Sequence, residues 1–174
     1  MRKNYQFNSS LYLFENFNLK IYLRKKQMLT VFDDKYFMKQ ALQEAQKALE
    51  HGEVPIGAVI VSQNRIIAKA YNQTELLNDV TAHAEMLAIT SATSFIGNKY
   101  LNDCTLYVTL EPCTMCGGAL FWSKIGRVVF GATDEKKEFM CHGKEILHPK
   151  TKIEMGLMMA ECEALLEAFF AKKR

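Results

Sequence analysis

At 174 residues, with 49% apolar and 24% charged side chains and a formal net charge of +3, the chain has the size and composition of one globular domain. No apolar run is long enough to span a bilayer, and the basic start Met1-Arg2-Lys3-Asn4-Tyr5 leads into neither an apolar stretch nor a small-residue cleavage site, which argues against membrane and secretory classes. Five cysteines, an odd number, favour a reducing compartment and hence the cytoplasm over a disulfide framework.

Charge is unevenly spread. Residues 1–27 hold Arg2, Lys3, Lys20, Arg24, Lys25 and Lys26 against Glu15 alone, while the rest of the chain is slightly acidic. This segment is aromatic and Asn-rich and follows no period. It reads as an N-terminal extension ahead of a domain over 28–174, with a basic arm that contacts RNA as the other reading. Global charge does not announce a nucleic-acid binder, so any such case rests on local patches.

Patterning becomes legible at Asp34. Tyr36, Phe37, Ala41, Ala45 and Ala48 fall near helical spacing, Asp33 or Asp34 can cap the start, and Gly52 ends the helix. Val54–Val61 is β-branched and apolar and is expected to be a buried strand, paired with Arg65–Tyr71 across a Gln63-Asn64 turn. A helix is expected over Ala82–Ser94, a strand over Cys104–Leu110, a helix over Thr114–Ser123 and a strand over Arg127–Phe130. Residues 132–150 are polar and loop-like. Lys152–Gly156 reads as a weaker strand, and Leu157–Ala171 as an amphipathic final helix. This order predicts an α/β fold: three α/β/α layers around a mixed five-stranded sheet.

Two segments carry the chemistry. Thr81-Ala82-His83-Ala84-Glu85 reads H-x-E, and Glu111-Pro112-Cys113-Thr114-Met115-Cys116 reads P-C-x-x-C. Structural zinc normally takes four protein ligands, whereas catalytic zinc keeps a position open for water. His83, Cys113 and Cys116 make three ligands, and Glu85 stands two residues from one of them, where it can handle that water's protons. Both motifs fall at helix N-termini, whose unpaired amides favour thiolates. Zinc in such a set would make water a nucleophile near neutral pH, and Glu85 would return the proton to a leaving nitrogen. The expected reaction is hydrolytic deamination of an amidine-like carbon.

Each signal has a plainer counterpart. A lone His83 is commonly a satisfied buried histidine, and a lone CxxC can be a redox pair or half a zinc ribbon. No second CxxC completes a ribbon, and a redox pair leaves His83 and Glu85 without a task. Cys141-His142, in the long loop, is the competing arrangement: either residue as a fourth ligand would close the site. Cys104 and Cys162 read as small buried hydrophobes, and His51 and His148 as surface or turn residues.

From about Asp34 onward the chain resembles the bacterial tRNA-specific adenosine deaminases of the cytidine deaminase-like superfamily. Beyond the metal motif, the resemblance rests on Glu53-Val54-Pro55-Ile56-Gly57-Ala58-Val59-Ile60-Val61, on Thr105-Leu106-Tyr107-Val108-Thr109-Leu110, and on Ile125-Gly126-Arg127-Val128-Val129-Phe130-Gly131-Ala132. It continues in Glu161-Cys162-Glu163-Ala164-Leu165-Leu166. It implies deamination of the wobble adenosine in a tRNA anticodon loop to inosine, by a homodimer with one zinc ion per subunit. It further implies that Asn72 contacts base and ribose, that Ala84 and Cys113 help hold the base through backbone groups, and that Asp134 lies near the flipped nucleotide. Phe170, in Phe169-Phe170-Ala171-Lys172-Lys173-Arg174, combines a ring with neighbouring cations in a way that suits splayed RNA bases; the other reading is a helix with core aromatics and a basic tip that complements its dipole.

Two departures matter. Glu138-Phe139-Met140-Cys141-His142 is bulkier than the small-residue loop usual in the family, and Trp122 resembles an aromatic feature of guanine deaminases. Two further functions therefore stand beside the tRNA reading: deamination of a free base such as guanine, and a non-catalytic RNA-binding module that uses zinc for stability. Glu85 speaks against the last.

Overall fold

The computed structural model describes residues 32–133 and 146–173. The expectations for residues 1–27, Asp134 and the loop Glu138–His142 lie outside the described residues.

The elements in chain order are α1 (Asp34–Glu50), β1 (Gly57–Ser62), β2 (Arg65–Tyr71), α2 (Ala84–Ile96), β3 (Cys104–Leu110), α3 (Thr114–Ser123), β4 (Arg127–Ala132), β5 (Lys152–Met155) and α4 (Met159–Ala171). The sheet order is β2-β1-β3-β4-β5. β1 runs antiparallel to both β2 and β3, whereas β3–β4 and β4–β5 are parallel. The mixed five-stranded sheet is as expected.

Side-chain alternation sorts the strands into two apolar layers. Ala58, Ile60, Leu106, Val108, Val128 and Phe130 face one cluster, together with Ala84, Ala88 and Ala92 of α2 and Leu120 of α3. Val59, Val61, Tyr107 and Val129 face the other, with Phe37, Met38 and Ala41 of α1 and Cys162 of α4. The sheet is therefore sandwiched between helix pairs. The alanines of α2 recur every fourth residue, a stripe without long side chains that lets the helix lie close on the strands.

The helix and strand boundaries follow local chemistry. α2 ends at Gly97 (φ 69°), whose N–H reaches back to Thr93 O and Ser94 O. The β1–β2 hairpin turns on Gln63 (φ 48°) and Asn64 (φ 61°), a left-handed pair matching the right-handed strand twist. The expected strand Val54–Val61 starts later, at Gly57. Pro55 has no N–H to give a ladder, and Ile56 N–H turns back to Val54 O at 2.7 Å. Gly57 itself lies so close to α1 that a Cβ there would collide with Ala41 O and Ala45 N. Only glycine permits that approach.

At the starting end of the parallel strands, charges are paired. Arg127 donates to Asp34 through both terminal nitrogens, at 2.9 and 2.7 Å, and to Glu154 through Nε at 3.0 Å. Tyr107 O–H donates to Asp34 Oδ1 at 2.5 Å. One guanidinium thereby ties α1 to β4 and β5.

Candidate active site

The opposite end of the sheet is built differently. β3 delivers the chain through Glu111 and Pro112 to Cys113, which stands at the N-cap of α3 with extended backbone angles (φ −73°, ψ 171°). His83 occupies the same position on α2 (φ −72°, ψ 152°). Neither side chain caps its helix. Ser, Thr, Asp or Asn at an N-cap stabilises a helix by roughly 1 kcal/mol over a residue that does not cap. Both helices forgo that contribution at the position where a donor side chain stands clear of the helix.

These two helix starts bring His83, Cys113 and Cys116 together, although thirty residues separate His83 from Cys113. His83 Nδ1 lies 3.7 Å from Cys113 Sγ and 3.6 Å from Cys116 Sγ. Bonds of about 2.3 Å to sulfur and about 2.0 Å to nitrogen, at tetrahedral angles, separate the donor atoms by about 3.5 Å. The set fits a zinc ion. Among the described residues it has three donors. Cys141 and His142, the fourth-ligand alternatives, lie outside the described residues.

The electrostatics match a cation site. A hydrogen bond from the Cys116 thiol, with His83 alongside, draws the Cys113 thiol down to about 3. That same bond, together with burial, pushes the Cys116 thiol up. The hydrogen bond to Cys113 raises His83, against burial. The two thiols are thus driven in opposite directions by one shared proton, and a divalent ion would hold both as thiolates.

Glu85 sits in the first turn of α2 and is 3% exposed. Its Oε2 is the one buried side-chain oxygen or nitrogen without a hydrogen-bond partner among the described residues. Burial pushes its carboxyl up from the ordinary glutamate range. A buried carboxylate oxygen without a partner is costly, so one beside a metal-ligand set stands ready to take up a proton.

Asn72 follows β2 and is buried, and its Oδ1 accepts the Ala84 N–H at 2.8 Å. It thus fixes the first amide of α2, between His83 and Glu85. Phe169 is 5% exposed and Phe170 49%, so the two adjacent rings divide between core and surface. Lys173 Nζ lies 4.4 Å from the centre of the Phe169 ring. Trp122 is 77% exposed and outside the core. Cys104 and Cys162 are buried, as expected.

Glu53 was not singled out by sequence. It is 1% exposed and accepts from Glu75 N–H at 2.9 Å, Leu76 N–H at 2.8 Å and Thr74 O–H at 3.0 Å. An acidic residue opening an otherwise apolar run, Glu53–Val61, is the signal that could have marked it.

Residues 32–132 match the family described as the cytidine and deoxycytidylate deaminase zinc-binding region. Over 144 residues the chain is 48% identical to the tRNA-specific adenosine deaminase of Aquifex aeolicus (strain VF5), covering 80% of this chain and 95% of that protein. The chain belongs to the tRNA-specific adenosine deaminase family. A solved structure from work on A-to-I editing by tRNA:A34 deaminases at the wobble position of transfer RNA matches with a TM-score of 0.71 at 42% identity, over 75% of this chain and 99% of that one. A Bacillus subtilis guanine deaminase is 40% identical with a TM-score of 0.56, over 58% of this chain and 65% of that one. The overlap with the deaminase that edits transfer RNA is thus the more complete. This family member is a zinc-dependent hydrolytic deaminase, and none of its described helices is long and apolar enough to cross a membrane.

Proposed function

We propose that this chain converts adenosine to inosine at the wobble position of a tRNA anticodon, with His83, Cys113 and Cys116 holding zinc and Glu85 moving the protons. Zinc in that set would supply Lewis acidity that makes water nucleophilic near neutral pH. The carbon–oxygen bond forms at C6 of the adenine ring, the exocyclic carbon–nitrogen bond breaks, and the products are inosine and ammonia. Glu85 takes one proton from the attacking water and returns it to the departing nitrogen. The observation that carries this reading is the unpartnered Oε2 of Glu85, two residues from His83.

Asn72 spends its carbonyl oxygen on Ala84 N–H, which leaves its amide N–H groups as donors for base or ribose. The exposed ring of Phe170 offers a stacking face for a splayed base. The reading includes a homodimer in the cytoplasm. Its support is the exposure of Phe95 and Trp122 and the absence of any disulfide among the described cysteines.

Purified protein incubated separately with anticodon-loop RNA, adenine, guanine and cytidine should release ammonia from the RNA and retain one zinc ion per chain. Ammonia from guanine alone would replace this reading with a free-base deaminase, the alternative that Trp122 keeps open. Bound zinc with no ammonia from any substrate would leave the RNA-binding module.

A further inference from the structure

Residues 73–82 join Asn72 to His83, so one loop connects the substrate-side asparagine to the metal-side histidine. Its base is stapled twice. Gln73 N–H donates to Ala82 O at 3.0 Å, and Ala84 N–H donates to Asn72 Oδ1 at 2.8 Å. Its far half is closed by Asp79 Oδ1, which accepts from Thr81 N–H at 2.8 Å and Thr81 O–H at 2.7 Å.

The near half is a single helical turn, with Leu77 N–H donating to Gln73 O at 3.0 Å. The first amides of such a turn have no acceptor within it. Glu53 supplies one from outside. Oε1 takes both Glu75 N–H and Leu76 N–H, and Oε2 takes the Thr74 hydroxyl. Glu53 is itself fixed, since its own N–H donates to Ala48 O at 2.9 Å just after α1 turns at Gly52. Burial alone would push its carboxyl up, but the Leu76, Glu75 and Thr74 hydrogen bonds outweigh that and hold it below its ordinary value. No cation lies within salt-bridge distance of it among the described residues. This buried charge is answered by the loop alone.

Little apolar burial holds the loop, because Leu76, Leu77 and Val80 are all exposed, Val80 to 84%. Where burial is slight, polar ties set the position of a segment. We propose that Glu53 is a positioning residue: it fixes the 74–78 turn so that Asn72 and the exposed Leu76-Leu77 edge together receive an extended RNA loop in preference to a free base. The proposal rests on the RNA reading above. The edge follows Asn72 by four residues in the chain, so nucleotides flanking a base held at Asn72 are the part of the substrate it would meet.

The test compares Glu53→Ala with Glu53→Gln, which keeps a carbonyl oxygen for the two amides. Glu53→Ala should raise KM for anticodon-loop RNA about tenfold, with kcat little changed and zinc content unaltered. Amide exchange at Glu75 and Leu76 should speed up in Glu53→Ala and stay slow in Glu53→Gln, whose KM should return toward wild type. Should Glu53→Ala fold poorly, the exposed pair Leu76→Ser/Leu77→Ser leaves the core untouched and should raise KM in the same direction. A KM unchanged in the double variant, or a Glu53→Ala loss confined to kcat and zinc content, would overturn the proposal. Wild type inactive on RNA would instead defeat the functional reading itself.

Discussion

The two ends of the sheet treat carboxylates in opposite ways. Where β4 and β5 begin, Asp34 and Glu154 are saturated by one guanidinium, and Tyr107 adds a third donor to Asp34. Beyond the end of β3, Glu85 is more deeply buried and yet leaves Oε2 unpaired. Paired charges hold elements together and can be replaced at modest cost. An orphaned buried carboxylate costs stability, and it persists where chemistry uses it. Glu53 stands between these extremes: fully hydrogen-bonded, but to a loop rather than to a cation.

The sharpest way to break this contrast is Glu85→Ala. Removing the proton carrier should lower turnover about 10³-fold or more, while zinc content stays at one ion per chain. Deleting a buried carboxylate that leaves one oxygen unpaired should leave thermal stability equal or higher, because the desolvation cost goes with it. Turnover and stability measured together decide the matter. Turnover within tenfold of wild type, or a marked drop in Tm, would place Glu85 among the structural carboxylates.

Gly57→Ala should cause the next largest effect, on stability rather than chemistry. A Cβ at this position meets backbone atoms of Ala41 and Ala45, which cannot move aside as a side-chain tip could. The cost should be about 3 kcal/mol by urea unfolding. A shift under about 1 kcal/mol would mean that α1 can lift away from β1 more freely than this packing allows.

What the sequence made legible divides along the same line. The metal motif was readable because each half, H-x-E and C-x-x-C, is local in the chain and opens a helix; the meeting of the two halves across thirty residues is the work of the fold. The layered fold was readable from the order of helices and strands and from the Gln63-Asn64 turn. The start of β1 was not, because the apolar run Val54–Val61 hides a proline without an amide to share and a glycine pressed against α1. Glu53 escaped because its partners, Thr74 to Leu76, lie some twenty residues on, and no periodicity joins them. Trp122 stood out by residue type, but its outward placement is visible only in the fold. Tertiary hydrogen bonds and the exposure of single large side chains are decided by three-dimensional placement, which local pattern does not encode.

The smallest expected effect sharpens the paired end. The Arg127 hydrogen bond, against burial and with help from Tyr107, holds Asp34 below the ordinary aspartate range. A carboxyl depressed in the folded state stabilises the fold above its unfolded value, and that stabilisation is lost as pH falls toward the folded value. Asp34→Asn should therefore cost about 1 kcal/mol near neutral pH, since the pair is partly exposed and screened by solvent. The gap between variant and wild type should begin to close as pH drops below about 4, where the carboxyl of the unfolded chain takes up a proton, and should vanish only toward the lower value of the folded state. Urea unfolding of both proteins from pH 7 down to pH 3 reads this directly. A gap that persists unchanged through the acid limb would show that Asp34 acts through the shape of its hydrogen bonds to Tyr107 and Arg127, and that its charge contributes nothing to the tie between α1 and the sheet.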